Sequence, residues 1–138
     1  MTLKMSDYGI AGILQTWIGA LNGNTWKLRL FVNNYTPTTA DTPANYVEAT
    51  FPGYAPINTN TWANAVTAAH IASSTDAART FTRNAAGAAQ SVYGYYVTDP
   101  TGANLGWAER DPLAPVTMNN AGDTYTVTPK LTCQDLST

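Results

Sequence analysis

The stretch from Thr124 to Cys133, TYTVTPKLTC, alternates between apolar and polar side chains over ten residues. One face would carry Tyr125, Val127, Pro129, Leu131 and Cys133, and the other would carry four threonines and a lysine. Strict alternation is typical of a β-strand with one buried face. Because Pro129 cannot donate a backbone hydrogen bond to a neighbouring strand, it indicates an edge position or a bulge. We therefore expect a long closing strand.

Several shorter strand candidates precede this closing strand, separated by turn residues. Residues 91–97, SVYGYYV, are apolar on both faces, as a central strand would be, and residues 25–32 alternate with a period of two. The remaining candidates are residues 46–50, 54–62, 79–82, 104–109 and 116–119. Residues 63–78 suit a helix by their alanine content, but their Thr, Asn and Ser favour an extended, irregular segment. Because no helices alternate with the strands, the pattern predicts an all-β fold, an antiparallel β-sandwich or barrel.

Residues 7–21 are the exception to this β-strand pattern, because their spacing of apolar residues predicts an N-terminal amphipathic helix. The apolar residues at helical spacing are Ile10, Ile13, Leu14, Trp17, Ile18 and Leu21. Ser6 or Asp7 can cap the start of the helix, and Asn22 with Gly23 can end it. Such a stripe is typical of a helix that covers a sheet edge or face, which is the favoured interpretation. The alternative is a helix that docks on another subunit.

Composition restricts the classes of protein that fit this chain. The 138 residues carry 7 Lys+Arg against 9 Asp+Glu, and charged residues make up 12% of the chain. A nucleic-acid binder needs clustered Lys and Arg, and a disulfide scaffold needs more than the one cysteine present. The length suits one domain, residues 1–138, and no apolar run approaches the roughly 20 residues that cross a bilayer. The first residues lack the apolar stretch of a signal peptide, so we expect no standard secretion.

The residues that could carry chemistry are few and scattered. His70 has no Cys or second His near it, which argues against a transition-metal site. Cys133 falls among the core positions of the closing strand, so we interpret it as an inert buried thiol. Glu109 and Asp111 could form a carboxylate pair or a calcium corner, but Pro112 follows at once, and solvated turn charges are the commoner case. We expect no catalytic residue, no cofactor and no metal, and therefore no enzyme.

Aromatic side chains offer another kind of site, because sugar-binding modules use exposed Trp and Tyr rings. Trp17 and Trp26 fit apolar stripes, so we expect them in the core. Trp62 lies in an Asn- and Thr-rich stretch and is the best candidate for an exposed ring. A core or interface position is nevertheless the favoured interpretation of Trp62.

Five segments carry a resemblance to a known group of proteins. They are residues 28–37, LRLFVNNYTP; 46–56, YVEATFPGYAP; 92–97, VYGYYV; 105–110, LGWAER; and the closing strand after Gly122 and Asp123. In this order the chain resembles small proteins encoded among the virion genes of tailed bacteriophages. The resemblance implies a non-enzymatic virion structural protein, foremost a capsid decoration or cement protein with a jelly-roll-like sandwich, assembled in the host cytoplasm. The alternative is a tail- or fibre-associated module that binds a carbohydrate or a receptor.

A cement protein needs segments that reach its neighbours, and several parts of the chain fit that need. The candidate contact residues are Met1, Thr2, Leu3, Lys4 and Met5, then Tyr35 and Pro37 in the loop at 34–44, Trp62, and Gln134, Asp135 and Leu136. The expected partners are further copies of the chain and the major capsid protein or other virion subunits. A glycan is a further candidate, and we expect neither nucleic acid nor membrane. With 22 Thr and 12 Asn, the surface should be polar but nearly uncharged, so shape and hydrogen bonds should dominate its contacts.

Overall fold

A computed structural model describes residues 5–23 and 25–134 of the chain. In chain order its elements are helix α1 (Asp7–Gly23) and strands β1 (Lys27–Phe31), β2 (Ile57–Asn58), β3 (Val66–Ala68), β4 (Ile71–Thr75), β5 (Arg79–Thr82), β6 (Gln90–Val92), β7 (Gly94–Thr98), β8 (Leu105–Arg110), β9 (Val116–Met118), β10 (Thr124–Val127) and β11 (Lys130–Gln134). A short 3₁₀ helix, Pro43–Asn45, lies between β1 and β2. The strand pairings are antiparallel, so the predicted all-β, sandwich-like fold with an N-terminal helix is confirmed.

The first of two compact units consists of the described residues up to Thr25, Thr59–Ala78 and the described chain from Thr128. Its sheet has the order β11-β4-β3, and α1 packs against all three strands. The helix buries Ile10, Leu14, Ile18 and Leu21. Ser6 caps the helix, because its Oγ accepts a hydrogen bond from the Gly9 N–H at 3.3 Å. Among the described residues, no helix combines the length and the apolar character that a membrane crossing requires.

Residues 63–78 contain the β3–β4 hairpin, so the extended interpretation of this segment is confirmed. The two-residue turn between the strands has positive φ at Ala69 (50°) and His70 (62°). This left-handed backbone matches the twist of a tight hairpin, although glycine and asparagine adopt it more easily than alanine. His70 Nδ1 lies 2.6 Å from Asp7 Oδ1, which ties the turn to the first residue of α1.

The second unit consists of Trp26–Asn58 and Arg79–Val127. It contains a four-stranded sheet of order β2-β1-β7-β8 and two strand pairs, β10–β5 and β6–β9. One face of the large sheet shares a hydrophobic core with both pairs, as in a sandwich. The buried residues of this core are Leu28, Leu30, Ala49, Phe51, Phe81, Val92, Tyr95, Val97, Met118, Tyr125 and Val127.

The closing strand differs from its prediction. The chain forms β10 up to Val127 and β11 from Lys130, and the two pair with different strands, β5 and β4. Pro129 lies at the break, where its missing N–H removes no hydrogen bond from either sheet, and its carbonyl accepts from the Asp76 N–H at 2.9 Å. The prediction of one unbroken strand is therefore wrong, because alternation of side chains does not report a change of partner strand.

The opposite face of the four-stranded sheet carries a separate aromatic cluster. Phe31 of β1, Tyr96 of β7 and Tyr46 are buried there. Tyr46 comes from the loop at residues 33–46, which returns over the sheet after β1. The partly buried residues around these three are Tyr35, Tyr93, Leu105 and Ala108. This loop-covered face carries the polar groups and hollows described next.

Candidate functional site

The loop at residues 33–46 is fastened to the chain at both ends. The Val32 N–H donates to the Val47 carbonyl at 2.8 Å. Asn33 uses both ends of its side-chain amide: Nδ2 donates to the Asn45 carbonyl, and Oδ1 accepts from the Val47 N–H, each at 2.9 Å. These bonds fix where the loop leaves the sheet and where it returns.

Asp41 holds the interior of this loop together. Its carboxylate accepts hydrogen bonds from Tyr35 Oη at 2.7 Å, from Tyr46 Oη at 2.6 Å, and from Thr38 through both Oγ1 (2.6 Å) and N–H (2.9 Å). Burial alone would raise the pKa of Asp41, but the hydrogen bonds from Thr38, Tyr46 and Tyr35 outweigh it and lower the pKa below its usual range. Asp41 is therefore an ionised acceptor around which the loop is organised.

Tyr46 lies at the centre of the aromatic cluster. Its ring stacks on Tyr96 with centroids 4.9 Å apart and a 14° interplanar angle, and Tyr35 meets it edge-on at 5.6 Å. Phe31 packs against it at 5.2 Å. Burial, followed by the hydrogen bond to Asp41, raises the pKa of the Tyr46 phenol above its ordinary value. The ring is thus rigidly placed, and its hydroxyl stays protonated.

An ion pair between Arg29 and Glu48 lies beside this cluster. Arg29 Nη1 donates to Glu48 Oε2 at 2.7 Å and to Oε1 at 3.0 Å, while Arg29 Nε donates to Thr98 Oγ1 at 3.2 Å. Tyr54 Oη donates to Glu48 Oε1 at 2.8 Å. Burial, with the nearby Glu48 charge, raises the pKa of Tyr96 to about 12. The result is a neutral patch that presents hydrogen-bond donors and acceptors side by side.

Two hollows share Tyr46 as a lining residue. The first has a volume of about 440 Å³ and is lined by Arg29, Pro43, Ala44, Tyr46, Glu48, Tyr96, Thr98, Thr101 and Gly102. The second has a volume of about 460 Å³ and is lined by Pro37, Thr38, Thr39, Asp41, Tyr46, Leu105, Gly106, Trp107 and Ala108. We call the two hollows together the Tyr46 cleft. Their chemistry is that of a binding surface with rigid rings and fixed polar groups.

The structure brings two of the predicted contact residues to this cleft and separates the others from it. Pro37 lines the second hollow, and Tyr35 packs on Tyr46. Met5 is half-buried and Gln134 is exposed, both in the first unit. The other predicted contact residues, Met1, Thr2, Leu3, Lys4, Asp135 and Leu136, lie outside the described residues.

Trp62 does not provide the exposed ring considered for it. It is only 5% exposed, and its Nε1–H donates to the Thr59 carbonyl at 3.1 Å. Asn22 of α1 brackets its backbone, accepting from the Trp62 N–H at 2.9 Å and donating to its carbonyl at 3.2 Å. The core interpretation is confirmed, and the exposed-platform interpretation is wrong.

The two carboxylates considered for catalysis each accept a hydrogen bond from a buried tyrosine. Glu109 accepts from Tyr95 Oη and Asp111 accepts from Tyr125 Oη, each at 2.6 Å. Cys133 is a free, half-buried thiol in β11. Across residues 5–23 and 25–134, no group of three or more His, Cys, Asp and Glu side chains could hold a metal ion.

A second surface feature is the outer side of α1. Ile13 and Trp17 belong to the predicted apolar stripe, yet they are 49% and 47% exposed, whereas the other four members are buried. Tyr8 is 90% exposed. Tyr8 and Trp17 are nine positions apart, which turns the helix by roughly 900°, so the two rings lie on opposite sides of it. Ile13 and Trp17 are four positions apart and are therefore neighbours on one side of the helix. We call this apolar pair the α1 strip.

Comparisons with models of protein families, with curated proteins and with solved structures returned no match. Function is therefore inferred from two features of this all-β chain, the α1 strip and the Tyr46 cleft.

Proposed function

We propose that the chain is a non-enzymatic structural subunit of a phage virion, foremost a capsid decoration or cement protein, that associates with a second copy of itself. The observation that carries the proposal is the α1 strip. Ile13 and Trp17 are two large apolar side chains, half-exposed and one helical turn apart, whereas the other four members of the apolar stripe are buried. Contiguous exposed apolar surface is typical of an interaction site.

The charge of the helix supports a second copy as the occupant of the strip. Asp7 is the one charged residue of α1, and it lies at the first position of the helix. When two copies meet around a two-fold axis, the same surface patch of each copy faces the other. A charge near the axis therefore faces the identical charge of the second copy and is repelled by it. Beyond Asp7, α1 itself places no charge near the strip that would repel a second copy, so apolar burial can hold two copies together.

The resemblance to phage virion proteins suggests where this association takes place and with which other subunits. A decoration protein repeats over a lattice, where it contacts its own copies and the major capsid protein or other virion subunits. Few charges and many threonines and asparagines suit contacts made by hydrogen bonds and shape. A tail or fibre position is the neighbouring alternative, and assembly would take place in the host cytoplasm.

Light scattering on the purified chain over a range of concentrations tests the proposal. We expect the mass to rise above that of a monomer, and an I13S/W17S variant to remain monomeric. Tyr8→Ser is the matched control, because it removes an exposed ring from the opposite side of the same helix, and it should associate like the original chain. A monomer at all concentrations, or equal association by the double variant, would contradict the proposal.

A further inference from the structure

We propose that the Tyr46 cleft is a binding site for a neutral oligosaccharide. This site belongs to the second unit and uses none of the residues of the α1 strip, so the inference goes beyond the structural role proposed above. The size of the cleft, its pattern of hydrogen-bonding groups, its charge and its apolar walls all favour such a ligand.

The size and division of the cleft fit a ligand of linked units. Each hollow, at about 440 and 460 Å³, falls in the range of roughly 300–1,000 Å³ that is typical of small-molecule sites. Tyr46 lines both hollows, so a chain molecule could place one unit on each side of it. Two subsites of similar volume that share one lining residue suit a chain of linked units better than a single compact ligand.

The first hollow presents donors and acceptors at neighbouring positions. Arg29 donates from Nη1 to both Glu48 oxygens and from Nε to Thr98, which fixes the positions of these groups. The Glu48 carboxylate oxygens can each accept more than one hydrogen bond. Thr101 is exposed at the same hollow, and its hydroxyl is oriented by donating to Asp99 Oδ1 at 2.8 Å. Adjacent hydroxyls of a sugar ring both donate and accept, so a fixed donor beside a fixed acceptor is complementary to them.

Gly102 keeps this part of the first hollow open. A Cβ added at Gly102 would lie 3.3 Å from Arg29 Nη2, so the guanidinium reaches the backbone of the turn after β7. Gly102 has φ +80°, a conformation that suits glycine and that holds this turn close to the arginine. The turn and the arginine therefore form a fixed wall of the hollow.

The charge of the cleft favours a neutral ligand over an anion. The Arg29 charge is cancelled by Glu48 at 2.7 Å. In the second hollow, Asp41 is an ionised carboxylate whose oxygens already accept four hydrogen bonds from the protein. A phosphate or a sulfated glycan would find no uncompensated positive charge in the cleft and would meet the negative charge of Asp41.

Apolar surface completes the match to a sugar. Pro43 and Ala44 flank the first hollow, and Pro37 and Leu105 flank the second. The C–H faces of a sugar ring can pack on such surfaces while its hydroxyls reach the polar groups. Rigid aromatic rings beneath them, stacked at 4.9 Å in the Tyr46–Tyr96 pair, preorganise the cleft before a ligand arrives.

The experiment is a screen of the full chain against immobilised neutral and anionic oligosaccharides, followed by calorimetry with the best free oligosaccharide. We expect binding to neutral members and a longer oligosaccharide to bind more tightly than its monosaccharide. Ala44→Trp places a bulky ring at an exposed position of the first hollow and should weaken binding at least tenfold. Ala121→Trp is the matched control, because it adds the same ring at an exposed turn outside the cleft and should leave binding unchanged.

A second variant tests the charge argument separately. Glu48→Gln leaves the Arg29 charge uncompensated, so the variant should lose affinity for neutral oligosaccharides and gain affinity for carboxylated ones. Absence of glycan binding, a preference of the original chain for anions, or binding that survives Ala44→Trp would each overturn the inference. Because light scattering reports on the α1 strip, failure of the oligosaccharide site and failure of self-association are distinguishable.

Discussion

Asp41 is the residue on which the order of the loop over the sheet depends most. Its pKa is lowered in the folded chain because Thr38, Tyr46 and Tyr35 donate hydrogen bonds to the charged form, although burial opposes them. A group with a lowered folded pKa stabilises the fold above its unfolded pKa, roughly 3.9 for Asp, and that stabilisation is lost as the pH falls below it. We therefore expect Asp41→Asn to unfold more readily than the original chain at pH 7, and this difference to shrink below about pH 4.

Urea unfolding at a series of pH values between neutral and about pH 3 measures that difference, since the window brackets the ordinary Asp pKa of roughly 3.9. Tyr35→Phe is a useful companion, because it removes one donor and leaves the carboxylate in place. It should cost less stability at neutral pH than Asp41→Asn. A difference between Asp41→Asn and the original chain that stays constant down to the acid limit would show that Asp41 contributes nothing through its charge.

The roles of individual residues were the features least predictable from the sequence. Asp41 is one of nine Asp and Glu residues, and no motif distinguishes it from the others. Tyr35 and Tyr46 come close enough to donate to it only because the loop folds back on itself. Arg83 is a sharper case. It is fully buried, with its guanidinium donating to the carbonyls of Ala85, Ala88 and Met118. From the sequence, a charged residue beside a turn is expected to be exposed. Only the three-dimensional contacts show that Arg83 is buried and holds three backbone carbonyls.

At the scale of elements, Gly94 at the start of β7 allows its two neighbouring strands, β1 and β8, to pack closely against β7. A Cβ added there would contact the Glu109 carbonyl oxygen and lie 2.8 Å from the Phe31 ring. We expect Gly94→Ala to destabilise the chain by about 3 kcal/mol, because overpacking against backbone cannot be relieved by a side-chain movement. Thermal or urea unfolding measures the effect.

Gly12 provides the opposite case as a control. It lies on the exposed side of α1, and a Cβ added there meets nothing within 4 Å. Gly12→Ala should therefore stabilise the chain by roughly 0.5–1 kcal/mol through helix propensity alone. If both alanine variants changed stability by the same amount in the same direction, the close approach at Gly94 would not be what restricts the sheet.

The elements themselves were largely predictable, and the exceptions have physical reasons. The helix and the all-β pattern followed from local periodicity, which is a property of neighbouring residues. The break at Pro129 was signalled by its missing N–H, but whether it marked a bulge or a change of sheet depended on distant strands. The Tyr46 cleft was missed because its two hollows join a loop to strands that lie far along the chain, although Tyr35 and Pro37 had pointed to that loop.

The whole molecule consists of two compact units built from interleaved segments. In the first unit, α1 packs on β4 and on β11, which lie far along the chain from it. The second unit is built from the two stretches on either side of Thr59–Ala78. Each unit has its own buried apolar residues, so each can respond separately to a local disturbance.

Ile18 offers a direct test of that separation. It is 1% exposed on the face of α1 that packs on the sheet of the first unit. Ile18→Asp would bury an unpaired charge at a cost of several kcal/mol. We expect amide hydrogen exchange to accelerate throughout α1, β3, β4 and β11, while the amides of β1 and β7 keep their protection. Thr16→Asp adds the same charge on the exposed side of the helix and should change neither set. Equal acceleration in both units would show that the chain unfolds as one cooperative body and that the division by contacts has no energetic counterpart.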